Sequence, residues 1–315
     1  MRRRVVCFLL ALILLLGGCT GRPAPENGRL NVVCTLFPYY DFVRQIGGDD
    51  VDVTLLVPAG RETHSFEPTP LDVITLSRAD VFIYNGGESE VWVDEILSSS
   101  GENIGTVLAM MDYADVLAEE IAEGMQVREE EDEAEDEEEV EYDEHIWTSP
   151  VVAMELCRVI ADVLSQADPA HADGYRSRLE SYLADLNELD VAFREIVSNG
   201  SRRLLVFGDR FPLLYFCRTY GLDYRAAFHG CSSDTEPSLA TLKYLIDKVI
   251  EERIPAVYVI ELSSRKIAGA IADATGAAVL TFHSCQSISR EDFDAGETYL
   301  SLMWKNTEAL KEGLS

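Results

Sequence analysis

Basic side chains are scarce in this chain. Only 26 Lys and Arg stand against 56 Asp and Glu, a formal net charge of −30 over 315 residues. No basic stripe is available to neutralise phosphates, which argues against a nucleic-acid partner. Cysteine is sparse too. With Cys7 and Cys19 set aside in the N-terminal segment, Cys34, Cys157, Cys217, Cys231 and Cys285 remain. Five is odd, so at most two disulfides form and one thiol stays free. No Cys-x-x-Cys pair occurs, which weighs against a thiolate zinc site or a thioredoxin-like centre. His-Glu-x-x-His is absent as well, so the metalloprotease helix is missing. The apolar run Val5–Leu16 is too short to span a bilayer as a mature helix.

That run has the features of a targeting segment. Arg2, Arg3 and Arg4 precede it, and Leu16-Gly17-Gly18-Cys19 follows, a pattern that looks like a bacterial lipobox, in which the cysteine is diacylated. The expectation is a signal peptide over 1–19 with lipidation at Cys19. Residues 20–29, with Gly21, Pro23 and Pro25, then form a tether. This places the protein outside the cytoplasm, anchored to the cell membrane by its N-terminal lipid.

The remaining residues, about 285, are enough for two α/β units of ordinary size. Apolar strand runs at Leu30–Phe37, Val51–Val57 and Val81–Asn85 alternate with helical stretches at Pro38–Ile46, Thr69–Arg78 and Glu88–Ser98. The alternation predicts βαβ units and a mainly parallel sheet. From Glu129 to Glu144, thirteen of sixteen residues are acidic. Such a run repels itself, so 128–144 is expected to be a disordered loop that concentrates cations electrostatically. Asp168-Pro169 then opens an apolar 3–4 pattern running to Ser198, a helix on the order of 45 Å long at 1.5 Å per residue. Strand and helix runs alternate again from Leu204 to Leu314. The expected architecture is α/β: an N-terminal lobe over 30–167, a linking helix over 168–199 and a C-terminal lobe over 200–315, with the site in the interlobe cleft.

Five histidines are present. His64 follows the second strand, His145 ends the acidic run, His229 follows a strand, and His283 follows the last strand. Open α/β sheets bind ligands at the carboxyl ends of their strands, and imidazole suits Zn²⁺. His171, in the first turn of the long helix, is expected to be solvated.

Gly60, His64 and Pro68 fit Gly-x-x-x-His-x-x-x-Pro; Asp143, His145, Trp147 and Pro150 fit Asp-x-His-x-Trp-x-x-Pro. With Glu236-Pro237-Ser238, and Tyr299, Met303 and Asn306 near the C-terminus, the chain resembles the substrate-binding lipoproteins of zinc and manganese ABC importers. The resemblance implies capture of a divalent metal, Zn²⁺ ahead of Mn²⁺, and its delivery to an ABC permease by a monomeric carrier without catalysis. It also implies metal ligands His64 and His145. The family's third ligand falls where Gly208 stands, and its fourth, commonly Asp, falls at His283. The expected ligands are therefore His64, His145 and His283, with Asp209 or His229 a fourth donor or outer-shell group.

Cys231 and Cys285 each lie two residues past a strand-end histidine. They read either as a disulfide across the site mouth or as two independent buried thiols. Two other functions share the metal residues or the fold: a zinc-dependent hydrolase, for which no poised base is marked beside the ligands, and a surface adhesin.

Overall fold

Parallel strands buried on both faces need continuous apolar sequence, and that is where the strands lie. In the computed structural model, which describes residues 28–63, 65–125, 140–230, 232 and 236–315, the first lobe carries β1 (Leu30–Cys34), α1 (Phe37–Gly47), β2 (Val51–Leu55), α2 (Pro70–Leu76), β3 (Val81–Tyr84), α3 (Trp92–Ser100) and β4 (Thr106–Ala109). After α4 (Pro150–Ala167) and α5 (Ala172–Asn199), the second lobe carries β5 (Leu204–Phe211), α6 (Leu214–Tyr220), β6 (Asp223–His229), α7 (Leu239–Glu251), β7 (Ala256–Val259), α8 (Lys266–Thr275) and β8 (Ala278–Thr281). Two more helices, α9 (Arg290–Asp294) and α10 (Tyr299–Gly313), close the chain.

Both sheets are four-stranded and parallel, with orders β2-β1-β3-β4 and β6-β5-β7-β8. The two lobes thus repeat one topology. In each, successive connections leave the first strand in opposite directions, which opens a crevice at the carboxyl ends of β1 and β3 and of β5 and β7.

Helix starts follow local chemistry. Thr69 and Asp72 form a capping box ahead of Pro70. The Ser149 hydroxyl accepts from Val152 N before Pro150, and the Ser238 hydroxyl accepts from Thr241 N at 3.0 Å. The long helix departs from expectation. It begins at Ala172 rather than at Pro169, and the Asp168 carboxylate ahead of it is held by His171 Nδ1 (2.6 Å), the Tyr175 hydroxyl (2.9 Å) and the Ala170 N–H. His171 is half-exposed there and leans on Asp168 and Asp50.

Helix α5 buries Tyr175, Tyr182, Leu186, Leu189, Phe193 and Val197 and packs on α1, α4, α6 and α10, so it touches both lobes. One hydrophobic core runs through the seam, from Val32, Phe42 and Trp147 to Phe207, Phe216, Phe282 and Tyr299. Phe42 meets Tyr299 edge-on at 4.8 Å, and Phe216 joins Phe193 to Phe282. Each such ring contributes roughly 1.5–3 kcal/mol on burial. Parting the lobes would expose many at once. Among the described residues, no helix is long and apolar enough to cross a membrane.

The acidic run requires a correction. Residues 126–139 lie outside the described part; Val140, Glu141 and Tyr142 are exposed, but the end of the run is held in place. Glu119 N donates to Glu141 O (2.8 Å) and Asp143 N to Leu117 O (2.9 Å), and Asp143 and Glu144 are buried. The Tyr215 hydroxyl of α6 accepts from Leu117 N and donates to Asp143 O, both at 2.9 Å. It thereby ties both flanks of the run to the second lobe.

Candidate metal centre

The residue before His145 is fixed from the first lobe. Beyond β3, Asn85 N and Gly86 N donate to Glu90 Oε2 at 2.7 and 3.0 Å. Burial pushes the Glu90 carboxyl up to about 7. The Asn85 amide donates to Glu144 O at 2.9 Å and its oxygen accepts from the Tyr39 hydroxyl. Ser89 holds the Glu144 carboxylate through both its N–H and its hydroxyl.

His145 itself is fully buried. Asp143 Oδ1 accepts its backbone N–H at 2.8 Å and lies 3.2 Å from ring Nδ1. A carboxylate there keeps the proton on Nδ1 and places the lone pair on Nε2, the atom a metal would use. Burial alone pulls the imidazole pKa down; the carboxylates of Asp143, Glu144 and Glu119 outweigh it, and the net shift is upward. The ring stands edge-on to Trp147 at 5.6 Å.

Four contacts seat this segment on the second lobe. Trp147 Nε1 donates to Ser284 O (2.9 Å), and the Tyr299 hydroxyl donates to Trp147 O (2.7 Å). Tyr215 binds Asp143 O, and the Ser149 and Thr219 hydroxyls meet at 2.8 Å. His145 therefore belongs to the seam itself. Gly230 approaches from the other side: a Cβ there would stand 3.0 Å from His145 Cε1 and 3.1 Å from Phe211 O. A side chain on the chain leaving β6 would therefore press on the ring.

His229 precedes that glycine and is partly buried. Its Nδ1 lies 3.1 Å from Glu119 Oε1, which also accepts Gly230 N at 3.1 Å. Glu119 thus acts on both histidines. Sequence reading missed it, because it sits in a stretch without a motif and reaches His229 only through the tertiary fold.

His283 is placed differently. Asn306 on α10 pins its backbone, accepting from His283 N at 2.7 Å and donating to His283 O at 2.8 Å. Burial lowers the His283 pKa, with Glu261, Asp292, Lys305 and Glu297 as its charged neighbours. Asp209 is engaged in a β5 bulge, where Oδ1 accepts Arg210 N (2.9 Å) and Oδ2 accepts Ile260 N (3.2 Å). Gly208 faces helix α8: a Cβ there would stand 2.5 Å from Ala268 Cα, so no side chain of any kind fits. His64 and Cys231 lie outside the described residues. Cys285 is a buried free thiol. Among the described residues, no group of three or more His, Cys, Asp and Glu has metal-holding geometry. What the seam does hold is buried imidazole backed by carboxylate, a donor chemistry suited to a borderline divalent cation.

Comparison with known proteins gives this chemistry a context. Residues 32–313 match the profile of the family described as zinc-uptake complex component A, periplasmic. The zinc-binding lipoprotein AdcA of Streptococcus pneumoniae is 32% identical over 300 residues, 95% of this chain and 58% of that protein. The high-affinity zinc uptake system protein ZnuA of Bacillus subtilis is 31% identical over 312 residues, 98% of this chain and 95% of that protein. Among solved structures, the Zn(II)-bound ZnuA-like domain of S. pneumoniae AdcA superimposes with a TM-score of 0.73 at 31% identity, covering 91% of this chain and 99% of that one. This chain thus spans little more than half the length of its full-length streptococcal relative.

Proposed function

We propose, from the premise that this chain belongs to the zinc-uptake complex component A family, that it captures Zn²⁺ outside the cytoplasm and hands it to the permease of an ABC importer. The observation that carries the reading is His145: fully buried at the lobe seam, with a carboxylate 3.2 Å from Nδ1 that orients the ring and raises its basicity as a ligand. His64 supplies the second imidazole from the first lobe, on the strength of its motif. From the second lobe, His229 is the donor whose neighbourhood adjoins the His145 ring, with Glu119 as its outer support. His283, the donor that the family register favours, is the competing assignment. Imidazole donors favour Zn²⁺ over Mn²⁺. The chain works as a monomer, tethered by a lipid on Cys19, with lobes bounded at 30–167 and 200–315, and performs no catalysis.

The test is metal analysis by mass spectrometry of the purified protein before and after chelation, followed by titration calorimetry with Zn²⁺ and Mn²⁺. One tight zinc site per chain, lost in His145→Ala, is expected. Hydrolysis of ester or phosphoester substrates by the zinc-loaded protein would replace the carrier reading with an enzymatic one.

A further inference from the structure

The loop between β2 and α2, which carries His64, belongs to both lobes. Its second half is held in the first lobe, where Phe66 meets Trp92 edge-on at 5.4 Å and Thr69 caps α2. Its first half lies on the second lobe. Gly60 N donates to Ile288 O (2.8 Å), Ser287 Oγ donates to Arg61 O (3.0 Å), and Arg210 Nη2 donates to Glu62 Oε2 (2.9 Å). Arg210 rises from the β5 bulge that Asp209 braces against Ile260 N. Its side chain is 19% exposed and that of Glu62 is 40% exposed. The guanidinium is thus presented from a rigid base, while the carboxylate rides on a loop.

We propose that Glu62 and Arg210 form an interlobe latch: a positioning pair that holds the loop preceding α2 on the second lobe and sets how fast a captured divalent cation leaves. The proposal rests on the carrier reading. Arg210 cannot coordinate a cation, and Glu62 is engaged by it, so neither acts as a ligand here. The shared core prevents the lobes from swinging apart, which leaves the loops as the parts able to move on release. Of the three contacts that tie the loop across, two end on backbone atoms of the loop. The ion pair is the one in which both partners are side chains, and it can be removed without disturbing the rest.

The experiment loads the purified full chain with Zn²⁺, mixes it with excess chromophoric chelator and follows release. Glu62→Gln and Arg210→Met are each expected to release zinc about fivefold faster than wild type at low ionic strength, as fits a part-exposed pair. The gap should narrow in high salt. The double reversal E62R/R210E should restore slow release, and the melting temperature of the metal-free protein should stay unchanged in every variant. A purely structural role would move melting and leave the reversal without rescue. Release from Glu62→Gln within about twofold of wild type overturns the latch while leaving the carrier reading intact. A wild type that retains no zinc overturns both, and shows it before any variant is mixed.

Discussion

Asp41 offers a stability measurement whose sign and size follow from the fold. It sits on α1, fully buried, and Oδ2 accepts the N–H of Tyr299 at the start of α10 (2.9 Å), while Oδ1 accepts from Gln45 (3.2 Å). Cys157, Tyr182, Tyr299 and Cys285 lie around it, all neutral at ordinary pH. The Arg44 guanidinium is 3.8 Å away and half in solvent. Burial therefore dominates and pushes the carboxyl from 3.8 up to about 6 against the lowering pull of its hydrogen bonds. An acid whose folded pKa lies above its unfolded one binds more protons folded than unfolded within that window, so stability falls as pH rises through it. The contribution is complete below about 4 and lost above about 6, and roughly two units correspond to about 3 kcal/mol. Asp41→Asn keeps an oxygen for Tyr299 N–H, and the Gln45 amide can turn to meet its new donor. The expected outcome is a variant that gains on wild type by about 3 kcal/mol between pH 4 and pH 8, measured as the difference of urea unfolding curves with chelator present. Taking the difference cancels the many other carboxylates. A difference that stays flat with pH, or one that turns against the variant as pH rises, would refute the claim that burial governs this carboxyl.

Zinc titration of single variants tests the site: His64→Ala and His145→Ala should each weaken binding by roughly a hundredfold or more, and His171→Ala should change nothing. His229→Ala is expected to weaken binding and His283→Ala to leave it near wild type; the opposite pattern would return the second-lobe ligand to His283. Gly230→Ala should weaken zinc binding without removing a donor, because its Cβ would press on a His145 ring already held by Asp143 and Trp147; unchanged affinity would mean that the ring can retreat. Cys19→Ala should release the protein from the membrane fraction, and labelled lipid absent from the wild type would remove the anchor.

The parts of the structure that could be read from the chain are those whose causes are local. Parallel strands such as Val81–Tyr84 are apolar runs because both faces are covered, and helix starts at Thr69, Ser149 and Ser238 carry their acceptors within three residues. Strand β4 escaped notice because it is short: four residues, with Thr106 and Val107 exposed at a sheet edge, still pair with β3. The site divides the same way. Asp143 and His145 are two residues apart, and the carboxylate that selects the imidazole tautomer is already in the motif. The second-lobe half is not local: Glu119 meets His229 from 110 positions away, Arg210 meets Glu62 from 148, and Trp147 meets Ser284 from 137. Gly208 shows why register alone misleads there. The resemblance implies a ligand at its place in the strand, yet the bulge after Phe207 and the backbone of Ala268 turn the position against a helix and leave no room for a donor. A donor lost at one strand end has to be sought at another, and which end supplies it depends on where the chain leaving β6 crosses the His145 ring, a contact that spacing along the sequence does not encode.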